Sequence, residues 1–234
     1  MLELHDAEIA YHKMEVIHQV SLGIEEGELV SVIGANGAGK TTLIKAMMGI
    51  VRLKKGTLVF KGEDITRLPA WRRAGLGIGY VPEGRRIFGE LSVDENLRMG
   101  CYSVKDRAKA RRGIDRAYET FPRLAERKRQ LAKTMSGGEQ QLLAIARALA
   151  LEPSLLLVDE ASMGLMPIAV NQVFSILESL HQQGITILVV EQNANKVLKI
   201  AGRGYLIETG RILIQGSSAE LRDNDLVRKA YLGE

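Results

Sequence analysis

Gly34-Ala35-Asn36-Gly37-Ala38-Gly39-Lys40-Thr41 is the stretch from which the rest of the chain can be placed. It has the spacing G-x-x-x-x-G-K-[ST]. Before it stands the apolar run Leu29-Val30-Ser31-Val32-Ile33, and after it a segment, 40–48, with apolar residues at helical spacing that stops at Gly49. Strand, glycine loop and helix in that order are what such a loop requires. Glycines let the chain wrap so that successive N–H groups point inward, and the helix that follows adds its positive end, which together make a phosphate site. Lys40 is expected to reach the β- and γ-phosphates of a nucleotide and the Thr41 hydroxyl to ligate Mg²⁺. Gly34, Asn36, Gly37, Ala38, Gly39 and Thr42 would complete the cradle.

Further along, Leu155-Leu156-Leu157-Val158-Asp159-Glu160 is an apolar strand that delivers two carboxylates at its C-terminal end, where open parallel sheets bind ligands. Asp159 is expected in the Mg²⁺ shell, and Glu160 as the general base that orients and polarises an attacking water. Alone, such a pair reads as a solvated strand end; beside a phosphate loop it reads as catalytic. Met135-Ser136-Gly137-Gly138-Glu139-Gln140-Gln141 opens a helix, and Ser136, Gly137, Gly138 and Glu139 make its start a second phosphate-binding end in one chain. Ser-Gly-Gly by itself is equally a flexible helix-start turn. Its force comes from its place, one short helix upstream of the acidic strand.

Around these motifs the chain alternates. Strands are expected over 2–9, 16–24, 57–60 and 78–81, then a helical and strongly basic lobe over about 91–134. A helix over 139–151, the strand 155–159, a helix over 168–183 and strands at 186–190, 205–208 and 212–214 follow. This is an α/β pattern: a mostly parallel sheet covered by helices, with an antiparallel edge sheet and an inserted helical lobe, in one unit spanning 1–234. With 46% apolar residues in 234, the chain can bury a substantial core. One cysteine, Cys101, leaves no internal disulfide and no cysteine-based metal site, which suits a reducing compartment. The polar start does not read as a signal peptide, and no apolar run approaches the roughly 20 residues of a membrane span. A net charge of +4 discriminates poorly between partners.

Phosphate loop, Ser-Gly-Gly and acidic strand in this order resemble the ATP-binding cassette (ABC) family over essentially the whole chain. The resemblance implies a P-loop NTPase (RecA-like) core that binds ATP and Mg²⁺ and hydrolyses ATP. It also implies a head-to-tail pair in which the loop 136–140 of one protomer closes on ATP held by the other, making two composite sites. Tyr11 falls where an aromatic ring stacks on adenine, though it is also an ordinary edge-strand tyrosine. Glu83, counted here with Thr41 and Asp159 as a metal-site residue, stands where most cassettes carry Gln. Gln192 stands at the switch position where they usually carry His, and Ala161 where they usually carry Pro.

Glu83 and Gln192, with the phrase Pro82-Glu83-Gly84-Arg85-Arg86-Ile87-Phe88 and the ending Lys229-Ala230-Tyr231-Leu232-Gly233, are similar to the second ATP-binding subunit of branched-chain amino-acid importers. Urea and short-amide importers share these features. The implied partners are membrane-spanning permease subunits, a second ATPase subunit that is identical or related, and, indirectly, a periplasmic or extracellular solute-binding protein. The implied place is the cytoplasmic face of the membrane, with the groove between Glu83 and the basic lobe docking the permease and no nucleic acid as partner. A soluble cassette acting on ribosomes or DNA would resemble two cassettes joined by a charged linker, or would carry long coiled coils; neither is in the sequence. A scaffold without turnover is opposed by Glu160. His5, His12, His18 and His181 read as surface or packing residues.

Overall fold

The computed structural model describes residues 1–232, so Gly233 of the terminal phrase lies outside the described residues. Its core is a six-stranded sheet in the order β10-β9-β3-β8-β7-β6. These are β3 (Leu29–Ile33), β6 (Ile78–Val81), β7 (Leu155–Asp159), β8 (Thr186–Glu191), β9 (Arg203–Glu208) and β10 (Arg211–Ser217). All neighbours pair in parallel except β9 with β10. Every residue of β3, β7 and β8 is buried, as expected of strands covered on both faces. Alternation then sorts their side chains: Val30, Val32, Leu188 and Val190 face one apolar layer, Ile33, Ile187 and Val189 the other.

The first layer holds α1 (Lys40–Met48) and a four-stranded antiparallel sheet in the order β2-β1-β4-β5: β1 (Leu2–Tyr11), β2 (Met14–Ile24), β4 (Lys55–Phe60) and β5 (Glu63–Asp64). β1 and β2 run further than the hydrophobic pattern suggests, to a two-residue turn at His12 and Lys13 in which His12 has φ 55°. The second layer holds α6 (Gly137–Leu149), α7 (Pro167–Gln182) and α8 (Ala194–Ile200). α6 starts two residues earlier than its apolar periodicity indicates, because Ser136 and Glu139 form a reciprocal cap that makes Gly137 the first helical residue.

Residues 91–134 carry α3 (Val93–Gly100), α4 (Arg107–Thr120) and α5 (Pro122–Glu126), all on the α6 side. Small residues let this group approach α6 closely: a Cβ on Gly100 would stand 2.1 Å from the Arg147 carbonyl oxygen, and one on Gly113 2.0 Å from that of Ala150. The buried Cys101 thiol donates to Ala150 O at 3.0 Å, and burial pushes its pKa up to about 11, so it packs as an inert hydrophobe. The short helix α2 (Ala70–Gly75) has no strong sequence signal. It is fixed by Arg73, whose fully buried guanidinium donates to the carbonyls of Ala46 and Met47 in the last turn of α1 and to those of Thr66 and Leu68.

Candidate active site

Strand pairing brings three loops to one edge of the core sheet. Ile33 pairs with Glu191 and Asp159 with Val190, so β3, β7 and β8 end together and residues 34–39, 160–166 and 192–193 emerge side by side. The first loop closes tightly. Gly39 has φ 106° at the start of α1, where a Cβ would lie 2.6 Å from Ile17 Cδ1. A Cβ on Gly34 would meet the Ile207 carbonyl oxygen at 2.3 Å.

Lys40 is 3% exposed. Its Nζ donates to the carbonyls of Gly34 and Ala35 at 2.9 Å each and pairs with Glu160 Oε1 at 2.9 Å. Beside it Thr41 Oγ1 donates to Asp159 Oδ1 at 2.9 Å, and the Tyr80 hydroxyl donates to Asp159 Oδ2 at 3.1 Å. Asp159 is fully buried. Burial pushes its carboxyl above the usual range; the two hydroxyls oppose that shift and the charge of Glu83 adds to it. Glu83 thus acts on this pair through its field. Burial, with the charge and hydrogen bond of Asp159, pushes the Tyr80 phenol up, which keeps it a donor.

Glu160 follows the strand with φ 43°, a left-handed conformation uncommon outside glycine, and its N–H donates to Val190 O at 2.9 Å. Glu191, at the end of β8, is 2% exposed and accepts from Ser162 N–H at 3.0 Å and Ser162 Oγ at 2.9 Å. Burial raises its carboxyl; the Ser162 and Asn193 donors oppose the shift and the Glu160 charge adds to it. Gln192 is exposed, in a turn where Asn193 caps α8 through the Lys196 N–H. Glu160, Ser162, Met163, Glu191, Gln192 and Asn193 line a cavity of about 200 Å³.

At the second predicted end, Ser136 Oγ and N–H both donate to Glu139 Oε2, at 2.9 and 3.0 Å, and Arg127 Nη1 lies 2.7 Å from Glu139 Oε1. The Glu139 side chain is therefore committed to its own helix start. The Ser136 hydroxyl is engaged in the same cap, since it also accepts from the Glu139 N–H at 3.4 Å. Among the described residues no hydrogen bond or ion pair joins 136–139 to the loop 34–41 of the same chain.

Arg85 ties the helix to the loop that carries Glu83. Its Nη1 donates to Gln140 Oε1 at 3.2 Å, in a turn where Gly84, Arg85 and Arg86 all have positive φ. Beyond that turn Phe88, 44% exposed, stacks against the Arg147 guanidinium at 5.1 Å, and its backbone is held by the buried Asn96. Tyr11 ends β1 and is 40% exposed.

Lys40, Thr41, Asp159 and Glu160 are thus brought together from two distant motifs. Tyr80, Arg85 and Glu191 complete the setting, although no sequence pattern flagged Tyr80 or Glu191. Among the described residues no group of three or more His, Cys, Asp or Glu side chains could hold a metal ion. A hydroxyl and one carboxylate, both oxygen donors, fit Mg²⁺, which keeps several waters and takes phosphate oxygens as ligands.

A profile of the ABC transporter family matches residues 17–163. The chain is 46% identical to the high-affinity branched-chain amino acid transport ATP-binding protein BraG of Pseudomonas aeruginosa, over 100% of both chains. It is 36% identical to the lipopolysaccharide export system ATP-binding protein LptB of Escherichia coli K12, over 96% of this chain and 94% of that one. The solved structure of an ABC transporter's ATP-binding cassette in its ADP conformation shares the fold with a TM-score of 0.87 at 24% identity, over 100% of this chain and 99% of that one. No helix among the described residues is long and apolar enough to cross a membrane. A profile that spans most of the chain and a relative matched end to end, on a fold that gathers a phosphate loop and an acidic strand, place the chain in the ABC transporter family, among its ATP-hydrolysing subunits.

Proposed function

We propose that this ATPase powers a branched-chain amino-acid importer, bound to the cytoplasmic face of its permease subunits as one of two paired cassettes. The observation that carries the site assignment is the meeting of Lys40, Thr41, Asp159 and Glu160 within hydrogen-bonding distance at one sheet edge. The solute assignment is supported by the 46% identity to BraG over the full length of both chains.

In this reading the N–H groups of residues 36–41 cradle the phosphates and Lys40 neutralises the β- and γ-oxygens. The phosphates compete with Glu160 for the Lys40 ammonium and so release the carboxylate to orient water. Thr41 and Asp159 would hold Mg²⁺, with Glu83 nearby; when bound, the ion would neutralise phosphate charge. Glu160 accepts the proton of the attacking water. Gln192, a carboxamide, donates to the γ-phosphate without taking up a proton. Tyr11 stacks on the adenine. Ser136 and the N–H groups of Gly137 and Gly138 close on ATP held by the partner protomer, since they lie apart from the loop of their own chain. Arg85 and Phe88 mark the groove where the permease docks, next to Glu83.

Two experiments test this. Glu160→Gln keeps shape and loses the base, so ATP should bind while turnover falls about a hundredfold or more; size-exclusion chromatography with ATP and Mg²⁺ should then show an accumulated dimer. Near wild-type turnover would refute the site. For the solute, ATPase activity of the assembled transporter should rise with its binding protein and leucine, isoleucine or valine. Stimulation by urea or acetamide instead would reassign it.

A further inference from the structure

Between Glu160 and Gln192 stands a carboxylate that the roles above leave idle. Glu191 is 2% exposed and accepts two hydrogen bonds, from the Ser162 N–H at 3.0 Å and from the Ser162 hydroxyl at 2.9 Å. Ser162 lies two residues after Glu160, and Glu191, the last residue of β8, directly precedes Gln192. A single side chain therefore ties the loop that carries the water-orienting group to the strand end that leads into the γ-phosphate contact.

Packing alone does not account for an acid here. Burying a carboxylate is costly even when it is hydrogen-bonded, and the nearby Glu160 adds like charge. An apolar residue would fill the same space at lower cost. The strain is also local: Glu160 sits at φ 43°, a conformation that persists only where surrounding contacts over-determine it. The backbone bonds Glu160 N–H to Val190 O and Met163 N–H to Glu160 O supply part of that restraint. The Glu191 bonds to Ser162 supply the part that fixes this loop against the end of β8, next to Gln192.

We propose that Glu191 is a positioning residue for ATP hydrolysis, which sets the separation and aim of Glu160 and Gln192 by holding Ser162 to the end of β8 that leads into Gln192. The inference rests on the roles given above to Glu160 and Gln192. Misplacing a reacting group by about 1 Å costs on the order of a hundredfold in rate, and the phosphate loop around Lys40 has no bond to Glu191. The loss should therefore fall on kcat.

The test is steady-state ATPase kinetics with ATP titration on the full chain. Glu191→Ala should lower kcat about a hundredfold and change KM by less than about threefold. Glu191→Gln, whose amide can still accept an N–H and can donate to Ser162 Oγ, should recover to within about tenfold of wild type. Ser162→Ala, which keeps its N–H, should lose about tenfold alone and nothing further when added to Glu191→Ala. Wild-type kcat in Glu191→Ala overturns the proposal. So does a Gln variant no better than Ala, or multiplicative losses in the double variant. Should Glu191→Ala fail to fold, wild-type kcat in Ser162→Ala overturns it alone. Glu160→Gln is measured alongside: if it keeps turnover, the underlying roles fail, whereas a dead Glu160→Gln beside a fully active Glu191→Ala sinks only the present inference.

Discussion

Replacing Lys40 by alanine tests the centre of the site through stability as well as turnover. Lys40 is 3% and Glu160 9% exposed, and the 2.9 Å contact between them is supplemented by Lys40 bonds to the carbonyls of Gly34 and Ala35. Truncation strands a mostly buried carboxylate and removes the donor from two carbonyls at once. Breaking a buried pair from one side costs about 3–5 kcal/mol. Glu160 borders a cavity through which water can reach it, so the lower end, about 3 kcal/mol, applies. For a chain of this length that lowers Tm by roughly 6–12 °C. Adding Glu160→Gln to Lys40→Ala removes the stranded charge and should restore about half of the loss or more. Calorimetry without nucleotide on wild type, both single variants and the double variant reads this directly. A Lys40→Ala Tm within about 2 °C of wild type, or a double variant no more stable than Lys40→Ala, would refute the coupling of this pair. In either outcome Lys40→Ala should hydrolyse ATP only at background, because backbone dipoles alone offset too little phosphate charge.

Three further predictions address the surroundings. Gly34→Ala places a Cβ 2.3 Å from the Ile207 carbonyl oxygen, so backbone must move; about 1–3 kcal/mol of stability and most ATP affinity should be lost, read by denaturant titration and nucleotide binding. Gln192→His should add an ionisation at about pH 6.5 to the pH–rate profile, and Gln192→Ala should bind ATP but lose most turnover; wild-type rates for the alanine variant would sink the γ-phosphate contact. The Arg203 guanidinium, at 2.7 Å, holds the Glu28 carboxyl below its usual value of 4.5. A depressed folded value means the contribution is whole above about pH 4.5 and lost as pH falls through the lowered value. Glu28→Gln should therefore cost roughly 1 kcal/mol at pH 7, a difference that vanishes in acid; a gap that persists at pH 2 would contradict it.

What could be read from the amino acids was what is contiguous in them. Residues 34–41 declare a phosphate loop because glycines, lysine and threonine lie within eight positions, and 155–160 declare a strand end because the apolar run and the acids adjoin. The start of α6 was legible from Ser136, Gly137 and Gly138 as the opening of a helix, even though periodicity places its first residue two positions late. Features built from contacts between distant segments were not legible. Arg73 reads as one more surface arginine in a basic stretch until the end of α1 is folded against it, and Tyr80 as a strand residue until β6 lies beside β7 and its hydroxyl reaches Asp159. α8 is too short for its apolar residues to establish a period, and only the Asn193 cap marks its start.

Ala161 shows how a departure in sequence acquires a physical account once the fold is known. Proline, usual at this place in the resembled family, would lock the backbone immediately after the left-handed Glu160 through its ring. Alanine does not, and Ala161 is 2% exposed, buried in the apolar layer on the α6 side of the sheet. The restraint moves one residue on: Ser162 is held from both its N–H and its hydroxyl by Glu191, across the β7 to β8 register in which Asp159 faces Val190. A ring acts on one residue whatever its neighbours do, whereas a hydrogen-bonded carboxylate acts only while Glu191 holds its place. The Glu160 loop in this chain is held, through Ser162, by the residue that precedes Gln192. A change at Glu191 should reach Glu160 through Ser162.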